Sequence, residues 1–191
     1  DLKALAAGQD YEPWAGHPDG PCHDRLSKPL IAAAARDAGA GRLGLALRCD
    51  LRVAEEGAVF AVLSRRFGVP MSDGTTVRLP RIVGQGRALD MLLTAREVTA
   101  REALDMGLAD RLVPKGQALA AAQELARRIA GFPQIALRSD RMSALRQFDL
   151  PEAEAIDLEM QLAAEARRGE AQAGAARFAA GAGRHGKVQQ E

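Results

Sequence analysis

Cysteine and aromatic residues are scarce in this chain of 191 residues. Its two cysteines, Cys22 and Cys49, are too few and too far apart for a disulfide framework or a CxxC zinc site, so we expect reduced thiols. Aromatic residues make up 4 % of the chain, and Tyr11 and Trp14 share one loop. A platform of aromatic side chains on which nucleic-acid bases could stack is therefore not expected.

An excess of charge of one sign is also lacking. The chain has 26 basic and 25 acidic residues, and the basic ones are scattered along it rather than grouped into runs. Proteins that bind nucleic acid concentrate positive charge on one face, so nucleic acid is a poor candidate partner here.

Long apolar stretches are missing as well. The longest uninterrupted one, Leu30 to Ala35, is too short to cross a bilayer, and the first residues lack the charged-then-apolar order of a signal peptide. We therefore expect a cytoplasmic protein that does not contact a membrane. With 47 % hydrophobic residues, the chain can bury the core of one domain.

One group of metal-binding residue types, Cys22-His23-Asp24 with His17 nearby, lies in a loop between Tyr11 and Arg25. Three prolines and two glycines interrupt this loop, so nothing in it holds ligands in a defined geometry. The sequence therefore predicts no metal site and no bound cofactor. A further histidine, His185, lies in a glycine-rich basic tail and is most simply solvated.

The stretch from Leu26 to Ala54 has the most informative pattern. It predicts a short apolar strand, a turn at Gly39-Ala40-Gly41, an apolar helix from Gly41 to Arg48 and a second strand. A strand that ends at glycines and leads into a helix leaves backbone N–H groups unpaired in the field of the helix N-terminus. Such a turn suits a developing oxyanion, but on spacing alone tight packing of strand against helix explains it equally well.

Beyond Pro70 the pattern becomes largely helical. Residues Thr99 to Glu102 have the sequence of a capping box for a helix that ends at Gly107, and further amphipathic helices extend to Ala180. These helices have more apolar, alanine-rich surface than one small sheet covers. Burial against another subunit and a self-contained helical cap are both consistent with this surplus.

Five short motifs occur in one order along the chain: Asp1-Leu2-Lys3, Gly68-Val69-Pro70, Leu79-Pro80-Arg81, Ala103 to Gly107 and Leu108 to Pro114. With the glycine turn, they resemble the enoyl-CoA hydratase/isomerase family, also called the crotonase superfamily. The resemblance implies an α/β fold of the ClpP/crotonase type, a spiral of ββα units followed by a C-terminal helical region. It divides the chain into a partial crotonase core at 1–114 and a helical trimerisation region at 115–191. Because relatives carry strands before the segment that matches Asp1, the resemblance also implies that the N-terminal strands are missing.

The resemblance further implies function in fatty acid metabolism, as a lyase or isomerase that binds an acyl-CoA thioester as substrate and assembles as a homotrimer or hexamer. In the family, two backbone N–H groups hold the thioester oxygen and stabilise an enolate. One of these donors matches Gly41, and the other would precede Asp1. Substrate-binding positions match Asp1, Leu2, Lys3, Ala40, Leu63, Ser64 and Phe67.

The two glutamates of a hydratase match Gly44 and Ser64. Hydration needs one group to hold water as a base and another to deliver a proton, and neither glycine nor an unassisted serine can do so. Hydratase activity of the standard two-glutamate kind is therefore not supported. Arg42, where relatives carry glycine, has three interpretations: it points along the helix, pairs with a substrate anion or blocks the pocket.

Asp73 is an acidic residue in the segment that the resemblance places near this site. It precedes a predicted helix, so it is interpreted either as an N-cap or as a carboxylate directed into the acyl pocket. Together with Gly41 it is our catalytic candidate, although some isomerases and dehalogenases of the superfamily place their aspartate at the position of Ser72. Three hypotheses stay open: a member of the hydratase/isomerase family that forms an enolate, another acyl-CoA isomerase or hydrolase that uses Asp73, and a catalytically silent binding or assembly subunit.

Overall fold

A computed structural model describes residues 2–9 and 15–182 of the chain. Within the sequence, one compact unit extends to Ala126 and a second begins at Arg127. The predicted division into a catalytic core at 1–114 and a trimerisation region at 115–191 remains a prediction. Of the residues singled out from the sequence, Asp1, Tyr11, Trp14 and His185 lie outside the described residues.

The first unit mixes short strands with helices. Its elements, in chain order, are α1 (Leu2–Ala6), β1 (Ile31–Ala34), β2 (Ala38–Gly39), α2 (Gly41–Arg48), β3 (Leu51–Glu55), β4 (Val59–Ala61), a 3-10 helix (Leu63–Phe67), α3 (Thr75–Val83), α4 (Gln85–Thr94), β5 (Glu97–Thr99), α5 (Ala100–Asp105), β6 (Arg111–Val113) and α6 (Ala118–Ala130), which continues beyond Ala126.

The strands of this unit form two sheets of three strands within the described residues. In one sheet, β3 lies between β1 and β6, and both pairs are parallel, with Ile31 opposite Leu51 and Val53 opposite Arg111. In the other, β4 pairs with β2 in parallel and with β5 in antiparallel orientation. The chain passes from β1 and β2 through α2 into β3, so this helix provides the long crossover that parallel strands require.

One apolar stripe of α2 faces the core of the first unit. Leu43, Ala46 and Leu47 are buried, which agrees with their predicted spacing on a single helix face. They belong to a core whose largest fully buried side chains include Phe60, Leu79, Met91, Leu108 and Val98. Packing of this stripe against the core holds α2 in place and thereby fixes the position of the residues at its N-terminus.

The predicted capping box is half formed. The Oγ1 atom of Thr99 accepts a hydrogen bond from the N–H of Glu102 at 3.2 Å, and α5 begins at Ala100 as predicted. The expected return bond from Glu102 is replaced, because both of its carboxylate oxygens accept hydrogen bonds from Arg96 at 3.0 and 2.7 Å. Bidentate pairing with a charged guanidinium is stronger than a bond to a neutral N–H group, so the reciprocal half of the prediction was wrong.

The second unit is helical throughout its described part. After the end of α6 it contains α7 (Gln134–Arg146), a 3-10 turn (Gln147–Asp149), α8 (Glu152–Ala166), a π-helical turn (Arg167–Ala171) and α9 (Gln172–Ala179). The carboxylate of Glu170 accepts hydrogen bonds from the N–H groups of Ile135 and Ala136, at 3.1 and 3.0 Å. It thereby satisfies two of the unpaired donors at the start of α7.

Candidate functional site

A cavity of about 590 Å³ opens beside the N-terminus of α2. Its wall combines the β2–α2 turn, the 3-10 helix after β4 and the segment that leads into α3. Most of the lining side chains are apolar, and Asp73 and Arg42 are the charged residues among those that line it. The lining residues are Leu5, Ala15, Pro21, Gly39, Ala40, Gly41, Arg42, Leu45, Leu63, Ser64, Phe67, Val69, Pro70, Met71, Ser72 and Asp73.

The β2–α2 turn presents a backbone donor to this cavity. Ala40 has φ 50° and ψ −125°, a conformation that L residues rarely adopt, and its N–H donates to the carbonyl oxygen of Ala61 at 3.3 Å. Its own carbonyl accepts from Leu43 N–H at 2.9 Å, which closes the first turn of α2. Among the described residues, nothing accepts the N–H of Gly41, the first residue of the helix. This N–H is therefore available to an oxygen that carries negative charge.

Arg42 does not fill the cavity. Its Nη1 atom donates to the carbonyl oxygen of Asp37 at 3.4 Å, so the guanidinium is directed back toward the chain that precedes α2. The side chain is exposed and lines the rim of a cavity that stays open beside it. The blocking interpretation of this residue is thus wrong.

Asp73 both caps a helix and lines the cavity. Its Oδ1 atom accepts a hydrogen bond from the N–H of Thr75, the first residue of α3, at 3.0 Å. The residue is 4 % exposed, and the N-cap position itself is taken by Gly74 with φ 83°. Asp73 therefore bonds the first N–H of α3 from the residue before the N-cap position, not from the N-cap position itself as predicted, and it also lines the cavity. The two interpretations of Asp73 are not alternatives in this structure.

The carboxylate of Asp73 lies against Gly44. A Cβ atom built on Gly44 would overlap the Oδ2 and Cγ atoms of Asp73. Gly44 lies in the first turn of α2, three residues after Gly41, so both residues belong to the same face of the helix. A carboxylate from the segment before α3 therefore occupies the space beside Gly44, which we predicted from the resemblance to match a glutamate of the hydratases.

Ser64 has a partner that cannot activate it. Its hydroxyl group donates to the Sδ atom of Met71 at 3.3 Å. A thioether is a weak acceptor and takes no proton near neutral pH, so it cannot convert the hydroxyl into a base or nucleophile. Leu63 and Phe67, from the same 3-10 helix, also line the cavity, and Phe67 is 66 % exposed at its rim.

The structure brings most of the predicted site residues to one place. Six of them line the cavity: Ala40, Gly41, Leu63, Ser64, Phe67 and Asp73. Leu2 and Lys3 belong to α1, and among the described side chains of this helix Leu5 lines the cavity. Sequence reasoning missed Leu5, Leu45 and Met71 as lining residues, because no local pattern distinguishes them from ordinary core positions.

The loop before β1 contributes Ala15 and Pro21 to the cavity wall, and Cys22 follows directly. Cys22 is buried, and burial, aided by the negative charge of Asp73, raises the pKa of its thiol. The guanidinium of Arg78 donates to the carbonyl oxygens of Cys22 and Asp73, at 2.5 and 3.1 Å, and so connects this loop to α3. His23 instead pairs with Asp24 at the surface, 2.9 Å apart.

No group of three or more His, Cys, Asp or Glu residues with the arrangement of a metal site occurs in the described ranges. Nor does any helix there combine the length and the apolar character that spanning a bilayer requires.

Comparisons with known proteins show the family and the fold of this chain. The family model for enoyl-CoA hydratase/isomerase matches residues 23–181. The crystal structure of enoyl-CoA hydratase from Mycobacterium tuberculosis H37Rv superposes with a TM-score of 0.85 at 29 % identity, covering 94 % of this chain and 71 % of that one. A second crystal structure, enoyl-CoA hydratase EchA1 from Mycobacterium marinum, gives a TM-score of 0.85 at 28 % identity with the same coverage, 94 % and 71 %. The fold is accordingly the α/β crotonase fold.

The chain belongs to the enoyl-CoA hydratase/isomerase family. Enoyl-CoA hydratase EchA19 from Mycobacterium tuberculosis is 39 % identical to it over 138 residues, which are 72 % of this chain and 52 % of that protein. The chain spans about half the length of the curated relatives it matches.

Proposed function

We propose that this protein binds an acyl-CoA thioester in the cavity beside α2 and moves a proton next to the thioester carbonyl. The observation that carries this proposal is that Asp73 and Gly41, whose N–H has no acceptor among the described residues, line one cavity. Family membership supports the choice of a thioester as the ligand. Coenzyme A is then part of the substrate and not a cofactor.

The lining of the cavity suits an acyl chain. Apolar side chains of Leu45, Leu63, Phe67 and Met71 surround the space in front of the Gly41 N–H. Burial of an alkyl chain against such surfaces contributes about 0.8 kcal/mol per methylene group. Among the few polar groups that line the cavity, the Gly41 N–H and the Asp73 carboxylate can orient the thioester rather than provide most of the affinity.

Proton removal and charge stabilisation fall to different groups. The Asp73 carboxylate takes a proton from a carbon atom of the acyl chain, and the electron pair moves onto the thioester oxygen. The Gly41 N–H donates a hydrogen bond to that oxygen and stabilises the enolate as its charge develops. Asp73 then returns the proton to another carbon, so a double bond changes position while no water or leaving group enters or departs.

Hydration is less well supported by the same geometry. It needs a second group that activates or protonates water, and Ser64, at the matching position, donates to the Met71 thioether. Gly44, at the other position, has no side chain. Isomerisation of an enoyl-CoA by one carboxylate is therefore the reaction we propose.

Two measurements test this proposal. Isothermal titration with butyryl-CoA and with free coenzyme A should show that the acyl group strengthens binding. The wild-type protein should also convert trans-3-hexenoyl-CoA into the conjugated 2-enoyl thioester, which is followed by its ultraviolet absorption. Failure to bind either ligand would refute the proposed function.

The variant Asp73→Asn separates charge from shape at the site. It should bind butyryl-CoA as the wild type does but lose about 100-fold or more in kcat. Asp105→Asn, on the exposed surface of α5, is the matched control and should leave kcat unchanged. Equal turnover by wild type and Asp73→Asn would limit Asp73 to capping α3. Binding without turnover by the wild type would instead favour a silent binding subunit.

A further inference from the structure

Gly44 and Asp73 are in close contact, and their shapes are complementary. Gly44 is buried in α2, and the space where its Cβ would lie is taken by the carboxyl group of Asp73. The same built Cβ would lie 2.9 Å from the Cβ atom of Asp73. Rotation of the carboxylate alone would therefore not relieve the overlap.

We propose that Gly44 is a positioning residue for the Asp73 carboxylate. Its missing side chain allows a carboxylate that originates in the segment before α3 to lie against the first turn of α2. A side chain at residue 44 and this position of the Asp73 carboxylate exclude each other. The inference rests on the proposed function, in which Asp73 transfers the proton.

The contact places the carboxylate near the oxyanion donor. Residues 41 and 44 are three positions apart, which corresponds to about 4.5 Å along the axis of α2. The proposed base, Asp73, and the proposed oxyanion donor, the Gly41 N–H, thereby lie beside the same face of α2.

The backbone of Asp73 cannot easily move away from α2. Its carbonyl oxygen accepts from Arg78, which also holds the carbonyl of Cys22, and its Oδ1 atom is bonded to the N–H of Thr75. On the opposite side, a Cβ built on Gly16 would overlap the carbonyl group of Ser72, so the loop there is already in close contact. A methyl group at residue 44 would consequently displace the Asp73 side chain, including its Cβ atom, rather than move the whole segment away from α2.

The test measures exchange of the α-hydrogens of butyryl-CoA with deuterated water by nuclear magnetic resonance, because this exchange reports proton removal alone. Gly44→Ala should slow the exchange by about 100-fold, the size of effect that a misplacement of about 1 Å produces. The dissociation constant for butyryl-CoA should change little. Gly86→Ala is the matched control, because Gly86 is also in a helix, α4, and a Cβ built there meets nothing within 4 Å.

A double-mutant cycle distinguishes positioning from a general structural role. If Gly44 acts through Asp73, the variant Asp73→Asn and the double variant Gly44→Ala/Asp73→Asn should exchange hydrogens at the same residual rate. A further loss in the double variant, or wild-type exchange by Gly44→Ala, would overturn the inference.

Folding supplies a second readout should Gly44→Ala prove insoluble. Asp73→Gly removes the atoms that the new methyl group meets, so the double variant Gly44→Ala/Asp73→Gly should fold again, and failure to recover would overturn the steric pairing. The two proposals also fail differently. Binding of butyryl-CoA by the wild type without exchange would overturn the role of Gly44 and Asp73 but leave thioester binding intact, whereas absence of binding would overturn the proposed function itself.

Discussion

The guanidinium of Arg52 lies 3.1 Å from the carboxylate of Asp110, and this carboxylate also accepts the backbone N–H of Arg52 at 2.7 Å. Arg52 is 4 % exposed. Its remaining donors bind the carbonyl oxygens of Leu108 and Cys49, at 2.6 and 2.8 Å. The buried cation thus joins β3 to the segment before β6 and to the C-terminal end of α2, the helix that carries the candidate site.

Removal of the Asp110 carboxylate should therefore destabilise the first unit. Asp110→Ala leaves part of a buried guanidinium without its anion, and we expect a loss of about 2 to 3 kcal/mol in the free energy of unfolding. Asp90→Ala is the control. The ion pair of Asp90 and Arg96 is more exposed than that of Asp110 and Arg52, so it should contribute less than about 1 kcal/mol. Urea unfolding followed by circular dichroism measures both variants. Equal losses would mean that the Arg52 pair contributes no more than a surface ion pair.

Gly41→Pro should abolish catalysis while retaining the fold. Proline lacks the N–H that we assign to the enolate oxygen, and it is well tolerated at the first position of a helix. The expected decrease in kcat is about 100-fold or more, as is typical for loss of one oxyanion donor. Gly41→Ala keeps the N–H, and a Cβ built there meets nothing within 4 Å, so it should remain active. If the proline variant were as active as the alanine variant, this N–H would have no part in the reaction.

Ala40→Gly should stabilise the protein. Ala40 adopts φ 50°, where an L residue is strained by about 1 to 3 kcal/mol and glycine is not. Glycine loses more chain entropy on folding, so the expected net gain in unfolding free energy is about 1 kcal/mol. The companion variant Ala40→Val should be less stable than the wild type, because a β-branched residue is more strained at positive φ. Thermal unfolding of the three proteins gives the order, and a less stable glycine variant would argue against strain at this turn.

Glu170 should make the second unit sensitive to acid. Hydrogen bonds from the N–H of Ala136, and to a smaller extent from Ile135, hold the pKa of its carboxylate below the ordinary value of 4.5. A lowered folded-state pKa means that this stabilisation is fully present above about pH 4.5 and is lost as the pH falls through the lower value.

Glu170→Gln should accordingly unfold at a lower temperature than the wild type at pH 7, and the difference should vanish well below pH 4. Glu165→Gln, at an exposed position of α8, is the control and should behave as the wild type at both pH values. A difference for Glu170→Gln that persisted unchanged in acid would show that the carboxylate charge is not what stabilises α7.

Local interactions made several elements predictable. The start of α2 at Gly41, its buried stripe and the Thr99 cap of α5 depend on residues within one or two turns of each other. Asp73 before α3 is a case of the same kind, since its side chain bonds an N–H only two residues away. Such signals are present in the sequence because the partners are also neighbours along the chain.

The short strands and the pairing of Glu102 with Arg96 were not predictable in this way. β5 and β6 contain three residues each and are stabilised by pairing with β4 and β3, which are distant in the chain. Arg96 reaches Glu102 because β5 and the start of α5 bring the two together in space. Competition between a local cap and a charged partner is settled by geometry that one sequence does not reveal.

By itself, the sequence determined the family, the crotonase fold and the glycine turn that leads into α2, because each depends on motifs that keep their order along the chain. Through the resemblance it also predicted that Gly44 and Ser64 stand at the two glutamate positions of the hydratases. Only the tertiary structure decided what stands in their place: Ser64 faces a thioether, and the Asp73 carboxylate fills the space beside Gly44. The physical reason is that close packing in the folded chain requires some group to fill the volume that an absent side chain leaves. A sequence alone does not tell which distant group that is.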